Sequence, residues 1–258
     1  MDLGLKDKVV IVTGGSRGIG FACAEAFLAE GARVGIVSRS EASLSAASAR
    51  LPGVAAASAD LVDAEAALRA VEALERELGP VDVLVNSAGA ARRTPPDELS
   101  PAAYRAAMDA KFFSYVNVSD PVVKKMAGRG TGVIVNVVGN GGKVASPTHI
   151  PGGAANSALM LMTAGLANAY ASRGLRVVAV NPGTTETERM VQGLEADARL
   201  AGTSVEEARQ RGLARLPIGR FATPGEIAAM VVFLASARAS YVTGVSISMD
   251  GASHPIVV

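Results

Sequence analysis

The stretch TGGSRGIG, Thr13–Gly20, is the first in the chain whose residue types and spacing carry chemistry. It follows an apolar run, KVVIVT, and opens a helix-length segment. In that context Gly14 permits a tight turn, and Gly18 and Gly20 let backbone approach a phosphate and helix pack on strand. Ser16, Arg17 and Ile19 complete the turn. The helix N-terminus that follows presents unpaired N–H groups and a partial positive charge to a pyrophosphate. The next apolar run, RVGIVS, ends in Ser38 and is followed by Arg39. A carboxylate there would accept from the ribose hydroxyls of NAD, whereas Ser38, Arg39 and Arg17 suit a 2′-phosphate. The expected cofactor is therefore NADP rather than NAD.

Positioning such a site takes alternating strands and helices. The runs Lys8–Thr13, Arg33–Ser38, Val54–Ala59, Val81–Asn86, Gly132–Val138, Leu175–Asn181 and Val245–Met249 are nearly continuously apolar, as strands buried on both faces must be. Between them lie helix-length segments at Ile19–Glu30, Ala64–Leu78, Pro101–Met126, Asn156–Arg173 and Pro224–Ser236. The alternation predicts an α/β fold: a single-domain, Rossmann-like, doubly wound parallel sheet of about seven strands with helices on both faces. No linker or repeat divides residues 1–258. The one departure is the polar segment 184–216, read as a substrate loop or lid with a helix of its own, or as a solvated excursion.

Composition narrows the class. A net charge of +1 gives no polyelectrolyte signal, so nucleic acid is not an expected partner. One cysteine, Cys23, excludes an intramolecular disulfide framework and fits a reducing compartment. No signal-peptide pattern and no membrane-length apolar run are read, and the expectation is a cytoplasmic protein. No metal site is expected.

Five motifs in order carry a resemblance. TGGSRGIG is followed by Asp60-Leu61 after the third run and by NSAG at Asn86–Gly89 after the fourth. NPGTTET at Asn181–Thr187 follows the sixth, and the tail reads IGRFATPGEIAAMVVFLAS then YVTGVSISMDG. Together they resemble the short-chain dehydrogenase/reductase family over essentially the whole chain. The resemblance implies that Asp60 and Leu61 line an adenine. It implies that Asn86, Ala88 and Gly89 support the cofactor and the central strand, and that Pro182, Gly183 and Thr187 border the nicotinamide. It also implies a homotetramer or homodimer built through the long central helices.

Family members that transfer hydride use an Asn, a Ser, a Tyr and a Lys. Aligned on the family pattern, these positions fall on Lys111, Gly139, Gly152 and Asn156. The four tyrosines, Tyr104, Tyr115, Tyr170 and Tyr241, all lie outside the stretch between the fifth strand and the next helix, so no shift of register supplies the missing one. Three readings follow. In the favoured one the site is rebuilt for redox work on a carbonyl or alcohol. His149 would serve as acid or base, since an imidazole titrates near neutrality. Asn140 would orient an oxygen, and Lys111 and Lys143 would supply positive charge to an oxyanion. Lys111 and Tyr115, four apart, share a helix face as a transplanted Lys–Tyr pair. In the second reading the chain is an inactive partner or regulatory subunit, paired in a hetero-oligomer with a catalytically intact relative. In the third it is a lyase, isomerase or dehydratase on the same scaffold.

The substrate is expected to be a small, moderately apolar molecule. Its pocket would be walled by Val138–Ile150 and by segment 184–216 with Met190, Val191 and Leu194. Arg92 and Arg93 could meet an anionic group, and the tail HPIVV could reach a neighbouring subunit.

Overall fold

The computed structural model describes residues 1–89 and 93–255. Arg92 and the last three residues of HPIVV lie outside the described residues. Seven strands form one parallel sheet: β1 Val9–Thr13, β2 Arg33–Ser38, β3 Ala55–Ser58, β4 Val83–Asn86, β5 Gly132–Val137, β6 Leu175–Pro182 and β7 Ser246–Met249. Their order is β3-β2-β1-β4-β5-β6-β7. This is the expected doubly wound sheet. The order reverses between β1 and β4, where adjacent crossovers leave opposite faces and open a crevice beyond the strand C-termini.

Alternation along each strand builds a core on each side. Val10 and Val12 of β1 pack with Phe21 and Phe27 of α1 (Gly18–Ala29). Ile227 and Leu234 belong to the same cluster. Val9 and Ile11 face the other way, onto Val71 and Leu74 of α3 (Ala64–Leu78), with Val122 and Met126. β-Branched residues with no polar atoms suit this two-sided burial.

The helices differ from the sequence-based expectation in four places, the last of them in segment 184–216. A helix α2, Glu41–Arg50, stands where none was expected; its EASLSAASAR sequence is too small and polar to show a strong apolar stripe, and the Ser40 hydroxyl caps it by accepting from Ser43 N. The expected helix Pro101–Met126 is three pieces: α4 (Pro101–Ala107), a π-helical turn (Met108–Phe113) and α5 (Ser114–Arg129). The next helix, α6, begins at Ile150, not Asn156, and runs to Tyr170, so Gly152 and Gly153 are helical rather than part of a loop.

Segment 184–216 holds two helices, α7 (Glu188–Ala201) and α8 (Val205–Ala214), where one was expected. Thr187 caps α7, and Ser204 and Glu207 form a capping box on α8. α9 (Pro224–Ala235) then packs along α1. No helix of the described residues is long and apolar enough to cross a membrane.

Candidate active site

The glycine turn sits at the crevice. Gly14 holds φ of +68°, and a Cβ there would lie 2.8 Å from Ala88 Cα and from Ser87 O, so the turn closes on β4 only without a side chain. Ser16 Oγ donates to Ser38 Oγ at 3.1 Å, tying the turn to the end of β2. Arg17 precedes α1 and pairs with Glu188 of α7 at 3.6 Å. Gly14, Ser16, Arg17, Gly18, Ile19 and Gly20 all line the cleft. So do Ser38, Arg39, Asp60, Leu61, Ala88 and Gly89, and beyond them Pro182, Gly183 and Thr187. The sequence-derived nucleotide residues are thus brought to one continuous wall.

Asn86 is the exception. It is wholly buried and does not line the cleft. Its amide donates to Ser119 Oγ and to Asn136 Oδ1, both at 2.9 Å, and Asn136 donates onward to Thr163 Oγ1. It therefore ties β4 to β5 and α5, in keeping with the central-strand support that the resemblance implies.

The far end of the cleft lies where β5 ends. Gly139 adopts φ of +123°, and a Cβ there would stand 3.3 Å from Asn156 Nδ2. Gly152 and Asn156 are buried one turn apart in α6, and both line the cleft. Lys111 reaches this end from the π-helical turn, a distortion frequent at functional sites. Its side chain is only 8% exposed. Its Nζ donates to Tyr115 Oη at 2.9 Å and to Val137 O at 3.0 Å, and Tyr115 Oη donates to Val137 O at 2.6 Å. No carboxylate of the described residues pairs with Lys111. Burial, and secondly the nearby Arg189, bring its pKa down to about 7. Tyr115 is fully buried, and burial pushes its phenol above the ordinary range. This tyrosine therefore stays protonated and serves as a fixed hydrogen-bonding strut.

His149 stands just before α6, lines the cleft, and touches the backbone at Gly141, where a Cβ would lie 2.9 Å from the ring. Burial lowers its pKa, and the charges of Arg93, Lys111 and Arg189 lower it further. At neutral pH the ring is uncharged.

Three sequence-based assignments change. Asn140 was expected to orient an oxygen, but its amide donates to Asp250 Oδ2 at 2.9 Å and faces His254 Nδ1 at 3.3 Å. Its hydrogens hold the segment after β7, leaving only its carbonyl to accept. Lys143 points to β7, donating to Ser246 O at 3.1 Å and Ser248 Oγ at 3.3 Å, and does not line the cleft. Of the expected apolar wall, Met190 and Leu194 line the cleft while Val191 points outward, 47% exposed.

Two cleft residues were missed by sequence reasoning. Arg189 is the second residue of α7 and donates to Gly89 O at 3.3 Å. His254 enters from the segment after β7, near Asp250 and Asn140. Neither carries a local pattern, because only the chain crossing over the cleft brings them there.

Comparison with known proteins agrees with this architecture. Residues 8–198 match the family described as short chain dehydrogenase. The chain is 37% identical over 254 residues to 2-(S)-hydroxypropyl-CoM dehydrogenase 3 of Xanthobacter autotrophicus, covering 96% of each. A variant of actinorhodin polyketide ketoreductase, solved with NADPH, superposes with a TM-score of 0.93 at 31% identity, covering 96% of this chain and 98% of that one. L-sorbose reductase of Gluconobacter frateurii, solved with NADPH and L-sorbose, gives 0.91 at 28% identity over the full length of both. The chain belongs to the short-chain dehydrogenase/reductase family.

Proposed function

We propose that this chain is an NADP(H)-dependent oxidoreductase acting on a carbonyl or alcohol, with Lys111 moving the proton that a tyrosine moves elsewhere in the family. The nucleotide residues fit the cofactor. The Gly14 cradle has no room for a Cβ, the helix N-terminus faces the turn, and Ser38 with Arg39 offers a 2′-phosphate hydroxyl and charge without a repelling carboxylate. Relatives solved with NADPH support the same choice. Bound there, the cofactor supplies or accepts hydride.

The observation that carries the proton-transfer assignment is the coordination of Lys111. A lysine ammonium has three N–H bonds. Tyr115 Oη and Val137 O take two of them, so the third proton, or the lone pair once it leaves, remains for the cleft. With a pKa of about 7, the group is poised to give a proton to a substrate oxygen during reduction and to take one during oxidation. Asn156, whose side chain makes no hydrogen bond among the described residues, is free to hold a hydroxyl of cofactor or substrate beside Gly139. Neutral His149, which lines the same cleft, can position the same substrate oxygen. Segment 184–216 forms the wall that the substrate meets. Leu161, 76% exposed on α6, marks the face through which we expect a homodimer or homotetramer.

The test is titration with NADPH and NADH, then a panel of ketones followed through the absorbance of the reduced nicotinamide. Turnover with NADPH that collapses in Lys111→Met supports the proposal. Tight NADPH binding with no turnover, and co-purification with an intact relative, would favour a partner subunit instead.

A further inference from the structure

Of the arginines and the lysine that line the cleft, only Arg17 and Arg93 are ion-paired among the described residues; Arg39, Arg199 and Arg215 are unpaired, as are Arg189 and Lys111. Arg93 pairs with Asp197 at 2.8 Å and Arg17 with Glu188 at 3.6 Å, so each has its own carboxylate. Arg189 and Lys111 have none: among the described residues Arg189 bonds only the Gly89 carbonyl, and Lys111 only Tyr115 and the Val137 carbonyl. Glu98, Asp109 and Glu186 also line the cleft, and none of them is in ion-pair contact with either cation.

These two cations and His149 form one electrostatic neighbourhood. Burial is the main cause that lowers the pKa of Lys111 and of His149; Arg189 lowers that of Lys111 further, and Arg93, Lys111 and Arg189 lower that of His149 further. Among the described residues no carboxylate is in ion-pair contact with any of the three. Basic groups gathered without a counter-charge hold one another in their less charged forms, and a bound anion relieves all of them together. Arg189 is well placed to meet it, because its fork can take two oxygens and it lines the cleft from the first turn of α7.

We infer that the substrate carries an anionic group, a carboxylate, phosphate or sulfonate, which docks against Arg189 while the reacting oxygen lies toward Lys111. The inference rests on the reading above that this cleft binds NADPH and a carbonyl compound. Met190 and Leu194, on the same helix, add apolar surface to the same cleft. The alternative source of the same charge is the cofactor's own pyrophosphate, since Arg17 of the glycine turn also acts electrostatically on Arg189.

Ligand-observed NMR with levulinate and its methyl ester separates these cases, with the protein alone and with saturating NADPH. The wild type is expected to bind the carboxylate about 10-fold more tightly than the ester, the scale of one charge-assisted hydrogen bond. Arg189→Gln should abolish the preference with NADPH affinity unchanged, and Arg189→Lys should retain part of it. Equal binding of acid and ester, or a preference that survives in Arg189→Gln, would overturn the inference. So would an Arg189→Gln variant whose main defect is weaker NADPH binding, since the guanidinium would then serve the cofactor. If the wild type bound no NADPH, the nucleotide reading would fail, while the comparison made without nucleotide would still decide the anion site.

Discussion

Lys111 Nζ and Tyr115 Oη lie 2.9 Å apart, and both donate to the same carbonyl oxygen, that of Val137 at the end of β5. One backbone acceptor thus fixes two side chains from one helical turn. A buried amine with no carboxylate beside it is held near neutrality, and its geometry is set by a phenol that does not ionise.

The stability of the protein should report this burial. The folded-state pKa of Lys111, about 7, is below its ordinary value of 10.5. Above that ordinary value both states are neutral at this position and the cost vanishes. As pH falls toward about 7 the unfolded chain takes up a proton that the folded one refuses, so stability is lost and stays lost below that point. Lys111→Met should therefore stabilise the fold at neutral and acid pH by up to a few kcal/mol, raising the melting temperature, with the gain shrinking toward pH 10. Thermal melts of both proteins across that range check it.

Tyr115→Phe should keep the fold but cost about 1–2 kcal/mol, since it removes a hydroxyl from a buried network. It also removes an acceptor that bonds more strongly to the charged amine. The pH midpoint of turnover should move to lower pH, a change that a purely structural role for the tyrosine would not produce.

Cofactor choice should respond at the end of β2. Ser38→Asp places a carboxylate where a 2′-phosphate would lie, beside Arg39. NADPH affinity should fall by about 10–100-fold while NADH affinity holds or improves. Fluorescence titration with each nucleotide reads the switch. Gly14→Ala should weaken both nucleotides, because its Cβ would press on Ala88 and Ser87 in a left-handed backbone conformation.

Assembly should depend on the exposed face of α6. Leu161→Glu should reduce the oligomer seen by light scattering without changing the far-ultraviolet circular dichroism. An unchanged mass would place the interface elsewhere.

The sheet was legible because most strands are short, nearly continuous apolar runs rich in β-branched residues, and the glycine turn because it sits between strand and helix. The wall for the nucleotide followed from those two facts. The helices that position chemistry were harder. Nothing in MDAKFF distinguishes a π-helical turn from an α-helix, yet that turn is what carries Lys111. Gly152 and Gly153 read as loop, but the packing of α6 on β6 and on the turn at Asn140–Gly142 holds them in the helix. Asn140 and Lys143 had suitable chemistry at suitable positions, and only the path of β7 and the segment after it showed their donors already taken. For Asn86 the motif marked the cleft and the central strand alike, and its side chain lies in the sheet's polar seam, on the side of strand support.

The pH dependence of turnover, followed in both directions with NADPH and NADP, tests the account most directly. Carbonyl reduction should fall as pH rises through about 7 and alcohol oxidation should rise through the same midpoint, because Lys111 gives the proton in one direction and takes it in the other. Lys111→Met should lower both by about 10²–10⁴-fold with NADPH affinity intact. Turnover that survives this substitution with its pH profile unchanged would contradict the account.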